Sequence, residues 1–208
     1  MIYTENQLEL LSIEVSKRVS PKRFNHTLGV ERCARTLAEA LIPDRISEAR
    51  AAALLHDVSK EIAREEQIKL LEDNKFELTN EDINTEGVIH SFTAPIVISR
   101  DFKMFATQDV LSSTLKHTVG DSEMSIFDKI IFISDYAEDT RRYESCIRVR
   151  ELLFDGFDAL SYADKLKRLD EACIAAIDGT CEALRKSGSH INSRMIETRK
   201  SLESKKLP

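Results

Sequence analysis

Apolar residues recur along most of this chain at the three- and four-residue spacing of amphipathic helices. Val30, Ala34, Leu37 and Leu41 form one such stripe. The strict alternation of apolar and polar residues that marks a half-buried strand is almost absent, and glycine and proline number only six and four. The pattern therefore predicts an all-α fold, built as a helical bundle.

Start and stop signals predict where the individual helices lie. Ser20-Pro21 reads as an N-cap followed by proline at the first helical position. Thr79, Ser125 and Ser161 each precede an aspartate by three residues, as in a capping box; the Thr79 box opens a turn before Gly87. The predicted helices cover residues 5–19, 21–42, 47–62, 64–73, 92–102, 107–118, 125–138, 145–154, 161–188 and 192–203.

No repeat, low-complexity segment or linker divides the chain, so we predict one domain over residues 1–208. Its core spans about 20–186, and a polar tail helix covers about 190–204. The run IFDKIIFISDY at 126–136 is apolar on most sides, which places it at the centre of the predicted bundle.

Charge and cysteine content narrow the class of protein. The net charge is −6, without the basic face that a nucleic-acid coat requires. No stretch approaches the roughly 20 apolar residues of a membrane span, and no cationic leader precedes an apolar segment at the N-terminus. These features favour a cytoplasmic protein that binds neither nucleic acid nor membrane.

The cysteines form no C-x-x-C pair, which predicts free buried thiols at Cys33, Cys146, Cys173 and Cys181.

Four of the five histidines lie at or near the ends of predicted helices, where side chains from different helices can converge on a metal. His56-Asp57 follows the apolar run AAALL, and Asp135 lies inside another apolar run. A carboxylate buried there needs a partner, either a divalent metal or a buried arginine or lysine. His26 is compatible with a ligand or with a hydrogen-bonded core histidine. Mixed histidine and aspartate ligands suit iron, manganese or zinc.

Several cations and histidines accompany these residues. On a helix, Lys60 shares a face with His56 and Asp57, where it can hold an anionic oxygen or form an ordinary salt bridge. His90 and His117 can supply ligands to a second metal ion or contact a phosphate. Arg141-Arg142 can clamp phosphate oxygens or cap the preceding helix.

The order His, His-Asp, Asp on an all-helical chain resembles the HD-domain phosphohydrolase superfamily, and most closely its symmetrical bis(5′-nucleosyl)-tetraphosphatases. The segments that carry the resemblance are RFNHTLGV at 23–30, AALLHDVSK at 52–60, His90, HTVG at 117–120, MSIFDKIIFISDYAEDTRR at 124–142 and, more weakly, HINSRMIETR at 190–199. The resemblance implies a metal-dependent enzyme that hydrolyses diadenosine tetraphosphate to two ADP, with iron as the expected ion.

By the same resemblance, the metal ligands are His26, His56, Asp57 and Asp135. The implied catalytic residues are Asp57, Lys60 and His117. The implied substrate contacts are Arg23, His26, Asp57, Lys60, His90, His117, Thr118, Gly120 and Arg141. The chain departs from the usual family pattern at Ser91, Asp121, Asp139 and Thr140, which bears on substrate preference.

The residues by themselves are also compatible with two other functions. One is another HD-superfamily enzyme: a nucleotidase, a deoxynucleotide triphosphohydrolase or a cyclic-dinucleotide phosphodiesterase. The other is a non-enzymatic helical module that binds a nucleotide. The apolar helix faces also permit a homodimer.

Overall fold

The computed structural model describes residues 2–85 and 87–204, and within these ranges the chain is all-α, without strands. This confirms the predicted fold class. The helices are α1 (Glu5–Ser16), α2 (Pro21–Leu41), α3 (Ile46–Leu55), α4 (Arg64–Asp73), α5 (Asn80–Asn84), α6 (Ile89–Asp101), α7 (Gln108–Lys116), α8 (Ile126–Ala137), α9 (Glu144–Phe154), α10 (Tyr162–Ser187) and α11 (Ser193–Ser204).

Local signals explain most helix starts. Ser20 caps α2, with Pro21 at its first position, and Thr79 and Ser125 form complete capping boxes with Asp82 and Asp128. In each case a side-chain oxygen accepts a backbone N–H that the helix leaves without a partner. These starts agree with the prediction because they depend on neighbours in sequence.

Helix α8 lies at the centre of the bundle, as its apolar run predicts. It packs against α2, α3, α7, α9 and α10. Ile130, Ile131 and Ile133 are fully buried there, and burying each such side chain contributes roughly 1.5–3 kcal/mol. This central helix carries Asp135 in its last turn.

The third helix differs from the prediction at both ends. Ser47 lies inside α3 instead of capping it, because its Oγ accepts the backbone N–H groups of Ile2 and Tyr3. The helix ends at Leu55, and the chain continues through turns in which Lys60 N donates to Asp57 O. The prediction that Lys60 shares a helical face with His56 and Asp57 is therefore wrong.

Smaller shifts occur at three other helices. Helix α1 ends at Ser16 instead of residue 19, and α7 ends at Lys116, so that His117 stands at its C-cap. Helix α6 begins at Ile89, without a side-chain cap, and therefore includes His90 in its first turn. The missing cap explains why this start carries no local sequence signal.

The tail helix α11 packs against α10 and buries Met195, Thr198 and Leu202. Thr198 Oγ1 donates to the carbonyl of Val119, in the turn that follows α7. The tail is thus attached to the region that carries His117.

The four cysteines are buried and free, as predicted. Burial raises the pKa of the Cys33 thiol to about 12, which keeps it protonated and unreactive. In the part of the chain that the structure describes, no helix is long and apolar enough to cross a membrane.

Candidate metal centre and phosphate site

The ends of five helices meet around one buried point. His26 lies in the second turn of α2, His56 and Asp57 directly follow α3, and Asp135 belongs to the last turn of α8. His90 and His117 come from the start of α6 and the end of α7. Tertiary packing therefore brings together all the histidines and aspartates that the sequence singled out.

Three overlapping triads could each hold a metal ion, with their ligand atoms within 4.8 Å of one another. The triads are His26–His56–Asp57, His56–His117–Asp135 and Asp57–His90–His117. Asp57 connects two lobes, because its Oδ2 lies 3.5 Å from His56 Nε2 and its Oδ1 lies 3.1 Å from His90 Nε2. We call these the His56 lobe and the His90 lobe.

The His56 lobe has the spacing of a metal centre. His26 Nε2 lies 2.9 Å from Asp135 Oδ1 and 4.0 Å from Asp57 Oδ2, and His56 Nε2 lies 3.9 Å from Asp135 Oδ1. Ligands about 2.1 Å from one ion stand about 3.0–3.4 Å apart in tetrahedral or octahedral geometry. The four side chains could close on a divalent cation with only small movements.

Hydrogen bonds orient the imidazole rings toward that point. His56 Nδ1 donates to the carbonyl of Ala53 at 2.7 Å, and His26 Nδ1 lies 3.1 Å from Glu138 Oε1. His56 Nε2 is buried and makes no hydrogen bond, while the buried His26 Nε2 faces Asp135 Oδ1 at 2.9 Å. A buried polar atom without a partner is costly, and a cation at this point would satisfy His56 Nε2. The donor set therefore fits a divalent metal.

Cations keep the two carboxylates ionised. Burial alone would raise the pKa of Asp135, but the charge of Arg141 and the contact with His26 hold it well below the ordinary value. Asp57 is also held well below its ordinary pKa, against burial, by His56 and by contacts with His117 and His90. Both therefore carry the negative charge that metal binding requires.

His26 responds to the same charges. Burial would lower the pKa of His26, but hydrogen bonding to Asp135 and Glu138 raises it to about 9. The metal-free protein therefore holds a cation at this position at neutral pH, which offsets the charge of the two carboxylates. A divalent ion would take over that role.

The His90 lobe contains a hydrogen-bonded chain that ends on a lysine. Lys60 Nζ lies 3.0 Å from His90 Nδ1, and His90 Nε2 lies 2.9 Å from His117 Nε2. Thr118 Oγ1 is 3.3 Å from His90 Nε2. Burial lowers the pKa of His90 to about 3, so its ring is neutral.

A groove of about 780 Å³, lined mostly by charged and polar residues, opens from His26 to the surface. Arg23 and Arg141 line it and reach inward, where they form ion pairs with Asp57 at 2.9 Å and Asp135 at 2.6 Å. Arg142 and Tyr143 stand further out, and 72% of the surface of Tyr143 is exposed. The groove therefore has paired arginines at its inner end and an exposed aromatic side chain further out, and Glu61 and Glu138 also belong to its lining.

Sequence reasoning missed Glu138, Arg150, Lys22 and Tyr143. Glu138 is 1% exposed although it caps the C-terminal end of α8, where a negative charge opposes the helix dipole. A glutamate at the C-terminal end of a helix was therefore the sequence signal that could have identified Glu138. Arg150 donates to the carbonyls of Ala137, Glu138 and Arg141 and secures this turn, which no local pattern shows.

Gly120 lies apart from the other predicted contacts. It is buried against Thr198 of α11 and has a φ of +74°, a conformation that glycine adopts readily. Of the departures from the family pattern, Ser91 is buried and bonds the Val88 carbonyl, and Asp121 accepts from the N–H of Glu123. None of these three lines the groove.

Comparison with known proteins identifies relatives of this arrangement. Residues 23–140 match the HD domain family. The symmetrical bis(5′-nucleosyl)-tetraphosphatase of Bacillus subtilis (strain 168) is 29% identical over 138 residues, which cover 66% of this chain and 73% of the relative. The protein of the same description from Halalkalibacterium halodurans is 30% identical over 138 residues, covering 65% of this chain and 71% of the relative.

A solved structure has the same overall fold. It is described as a predicted HD superfamily hydrolase involved in NAD metabolism, from Clostridium acetobutylicum. The two chains are 26% identical and superpose with a TM-score of 0.82, covering 98% of this chain and 99% of the other.

Proposed function

The chain belongs to the HD-domain family, and we propose that it hydrolyses diadenosine tetraphosphate symmetrically to two ADP. Overlapping histidine–aspartate triads that open into an arginine-lined groove carry this proposal. The description of the Bacillus and Halalkalibacterium relatives supports the substrate. The reaction adds one water across the central phosphoanhydride and breaks one P–O bond.

We propose that His26, His56, Asp57 and Asp135 hold the catalytic ion, as their converging Nε2 and carboxylate atoms support. A divalent cation in this position supplies Lewis acidity and lowers the pKa of water. Iron is the ion we propose, because the family resemblance implies it; two imidazoles and two carboxylates suit iron, as they also suit manganese and zinc.

Arg23 and Arg141 hold the phosphate chain at the entrance to this centre. Each guanidinium already pairs with a ligand carboxylate and also lines the groove, so that it can turn free N–H groups toward phosphate oxygens. Such fixed donors stabilise the charge that develops during hydrolysis.

The His90 lobe receives a second phosphate instead of a second ion. Lys60 Nζ lies 3.0 Å from His90 Nδ1 and 3.1 Å from His90 Nε2, so the lysine faces the ring of a neutral His90 from within the lobe. An ammonium close by also repels a further cation. His117 Nδ1 donates to Thr114 O at 2.7 Å, which leaves its Nε2 to face His90 Nε2 at 2.9 Å within this lobe. Thr118 adds a hydroxyl to this lobe.

The outer groove accommodates one nucleoside end of the substrate. Lys22 and Arg142 extend the cationic lining away from the metal centre, and the ring of Tyr143 is free to stack on a nucleobase. An extended dinucleotide suits this shape better than a compact mononucleotide.

A substrate panel with product identification tests the proposal. Iron-loaded and manganese-loaded protein would receive diadenosine tetraphosphate, deoxynucleoside triphosphates, mononucleotides and cyclic dinucleotides, with the Asp57→Ala variant as the inactive control. We expect two equivalents of ADP from the first substrate. AMP plus ATP, or turnover confined to another substrate, would instead indicate a different hydrolase of the superfamily. Absence of bound metal and of all turnover would favour a non-enzymatic module.

Three further expectations stay predictions. They are the cytoplasmic location, the single-domain organisation and the homodimer. Fractionation, limited proteolysis and light scattering, respectively, address them.

A further inference from the structure

Glu138 is a buried carboxylate beside the proposed metal centre, and none of the roles proposed above uses it. We propose that Glu138 is a positioning residue that sets the orientation of His26 and thereby the affinity of the site for its divalent cation. The inference rests on the proposed function in one respect, the assignment of His26 as a ligand.

The contacts of Glu138 point to this role. Its Oε1 accepts from His26 Nδ1 at 3.1 Å, on the side of the ring opposite the metal-facing Nε2. A carboxylate on Nδ1 aligns the ring, stabilises the tautomer that leaves Nε2 free for the metal, and makes Nε2 a stronger donor. Three histidines point Nε2 toward the centre and bond a protein oxygen through Nδ1. For His56 and His117, that oxygen is a main-chain carbonyl. His26 alone of these three uses a carboxylate.

Thr140 holds the carboxylate in place. Its Oγ1 donates to Glu138 Oε1 at 2.6 Å, and its backbone N–H donates to Oε2. Both oxygens are therefore anchored from the turn that follows α8. Position 140 is one of the departures from the family pattern, and the hydrogen bond from its Oγ1 requires a side-chain hydroxyl.

Gly29 provides the space that Glu138 occupies. A Cβ on Gly29 would overlap Glu138 Oε2 and lie 3.0 Å from its Cδ. Gly29 lies within helix α2, where glycine is less favourable than alanine. The close approach of the Glu138 carboxylate supplies the reason for a glycine at this position.

The test measures Mn²⁺ affinity of metal-stripped protein by calorimetric titration, beside the thermal unfolding midpoint of the same samples. Glu138→Gln keeps the shape and removes the charge, and we expect its dissociation constant to rise about 10- to 100-fold. Thr140→Val removes one anchoring hydrogen bond and should raise it roughly 2- to 10-fold. Asp139→Asn is the matched control: it removes one charge at the adjacent position, where Asp139 bonds exposed Arg32 instead of a ligand. Its affinity should stay close to that of the wild type.

Wild-type affinity in a folded Glu138→Gln protein would overturn the inference, as would equal losses in Glu138→Gln and Asp139→Asn. Should Glu138→Gln fail to fold, Thr140→Val decides in the same way. A wild-type protein that binds Mn²⁺ tightly but cleaves no dinucleoside tetraphosphate refutes the proposed substrate and leaves this test intact. A wild-type protein that binds no Mn²⁺ overturns both.

Discussion

Gly120 is where the resemblance and the structure suggest different roles, a substrate contact and a packing position. The substitution Gly120→Ala separates them. A Cβ at this position would lie 2.5 Å from Thr198 Cγ2 and 3.0 Å from its Cβ. Threonine is branched and stiff at χ1, and Thr198 is fully buried and bonded to the carbonyls of Val119 and Arg194. It therefore has little freedom to move away.

Two terms set the expected loss of stability. A left-handed backbone costs a non-glycine residue ~1–2 kcal/mol, and overpacking in a filled core costs ~1–3 kcal/mol. The free energy of unfolding should fall by about 2–5 kcal/mol in total. For a chain of this size, that loss lowers Tm by roughly 4–20 °C.

Thermal and urea unfolding, followed by far-UV circular dichroism, measure this loss. The double variant Gly120→Ala/Thr198→Ala removes Cγ2 and Oγ1, the two closest atoms of Thr198, so it should be less destabilised than the sum of the single variants by about 1–3 kcal/mol. At a temperature where all variants are folded, kcat/KM for diadenosine tetraphosphate should stay close to that of the wild type. An unchanged Tm together with a raised KM would refute the packing argument and restore Gly120 as a substrate contact.

Three further predictions concern the metal centre, the tail helix and the groove. Asp57→Ala should abolish metal binding and turnover while the helical circular dichroism persists, since Asp57 contacts both lobes; retained activity would contradict its role. Asp82→Asn should lower stability at pH 7 by ~1–3 kcal/mol, because hydrogen bonds from Arg194 and others hold the pKa of Asp82 below its ordinary value despite burial. The stabilisation from ionised Asp82 is present above the unfolded pKa of about 3.9 and is lost as pH falls through the lower folded pKa. The Tm difference between wild type and variant should therefore shrink below about pH 4. A Tm difference that stays constant with pH would contradict this role of Asp82. Tyr143→Ala should raise KM for diadenosine tetraphosphate roughly 5- to 160-fold, because base stacking contributes ~1–3 kcal/mol. Tyr143→Phe should stay close to the wild type, and equal KM values for all three proteins would exclude stacking.

Most helices could be predicted because their signals are local. Ser125 and Asp128 form the box that starts α8, and the apolar run behind them requires burial. The end of α3 could not be predicted in this way. The turns from His56 onward are stabilised by long-range contacts, such as the bond from Ser59 Oγ to the carbonyl of His90.

The candidate site shows the same division. Histidine and aspartate in apolar surroundings identified His56, Asp57 and Asp135 as residues that need a partner, since buried charge is costly. Glu138 stayed hidden because its importance depends on His26, which is distant in sequence and adjacent in space. Lys60 was recognised as a cation of the site, but its contact with His90 follows from the turn that replaces the expected helix.

By itself, the sequence determined the all-α class, the buried centre formed by α8 and the presence of histidines and aspartates at helix ends. Those features follow from spacing, capping and the cost of burying charge, all of which act over a few residues. Tertiary structure alone decided that the ligand atoms lie within about 3–4 Å of one another. It also decided that arginines line the approach and that Glu138 stands behind His26. Such distances depend on how five helices pack, and this packing joins His26 to Glu138 across 112 positions of the chain.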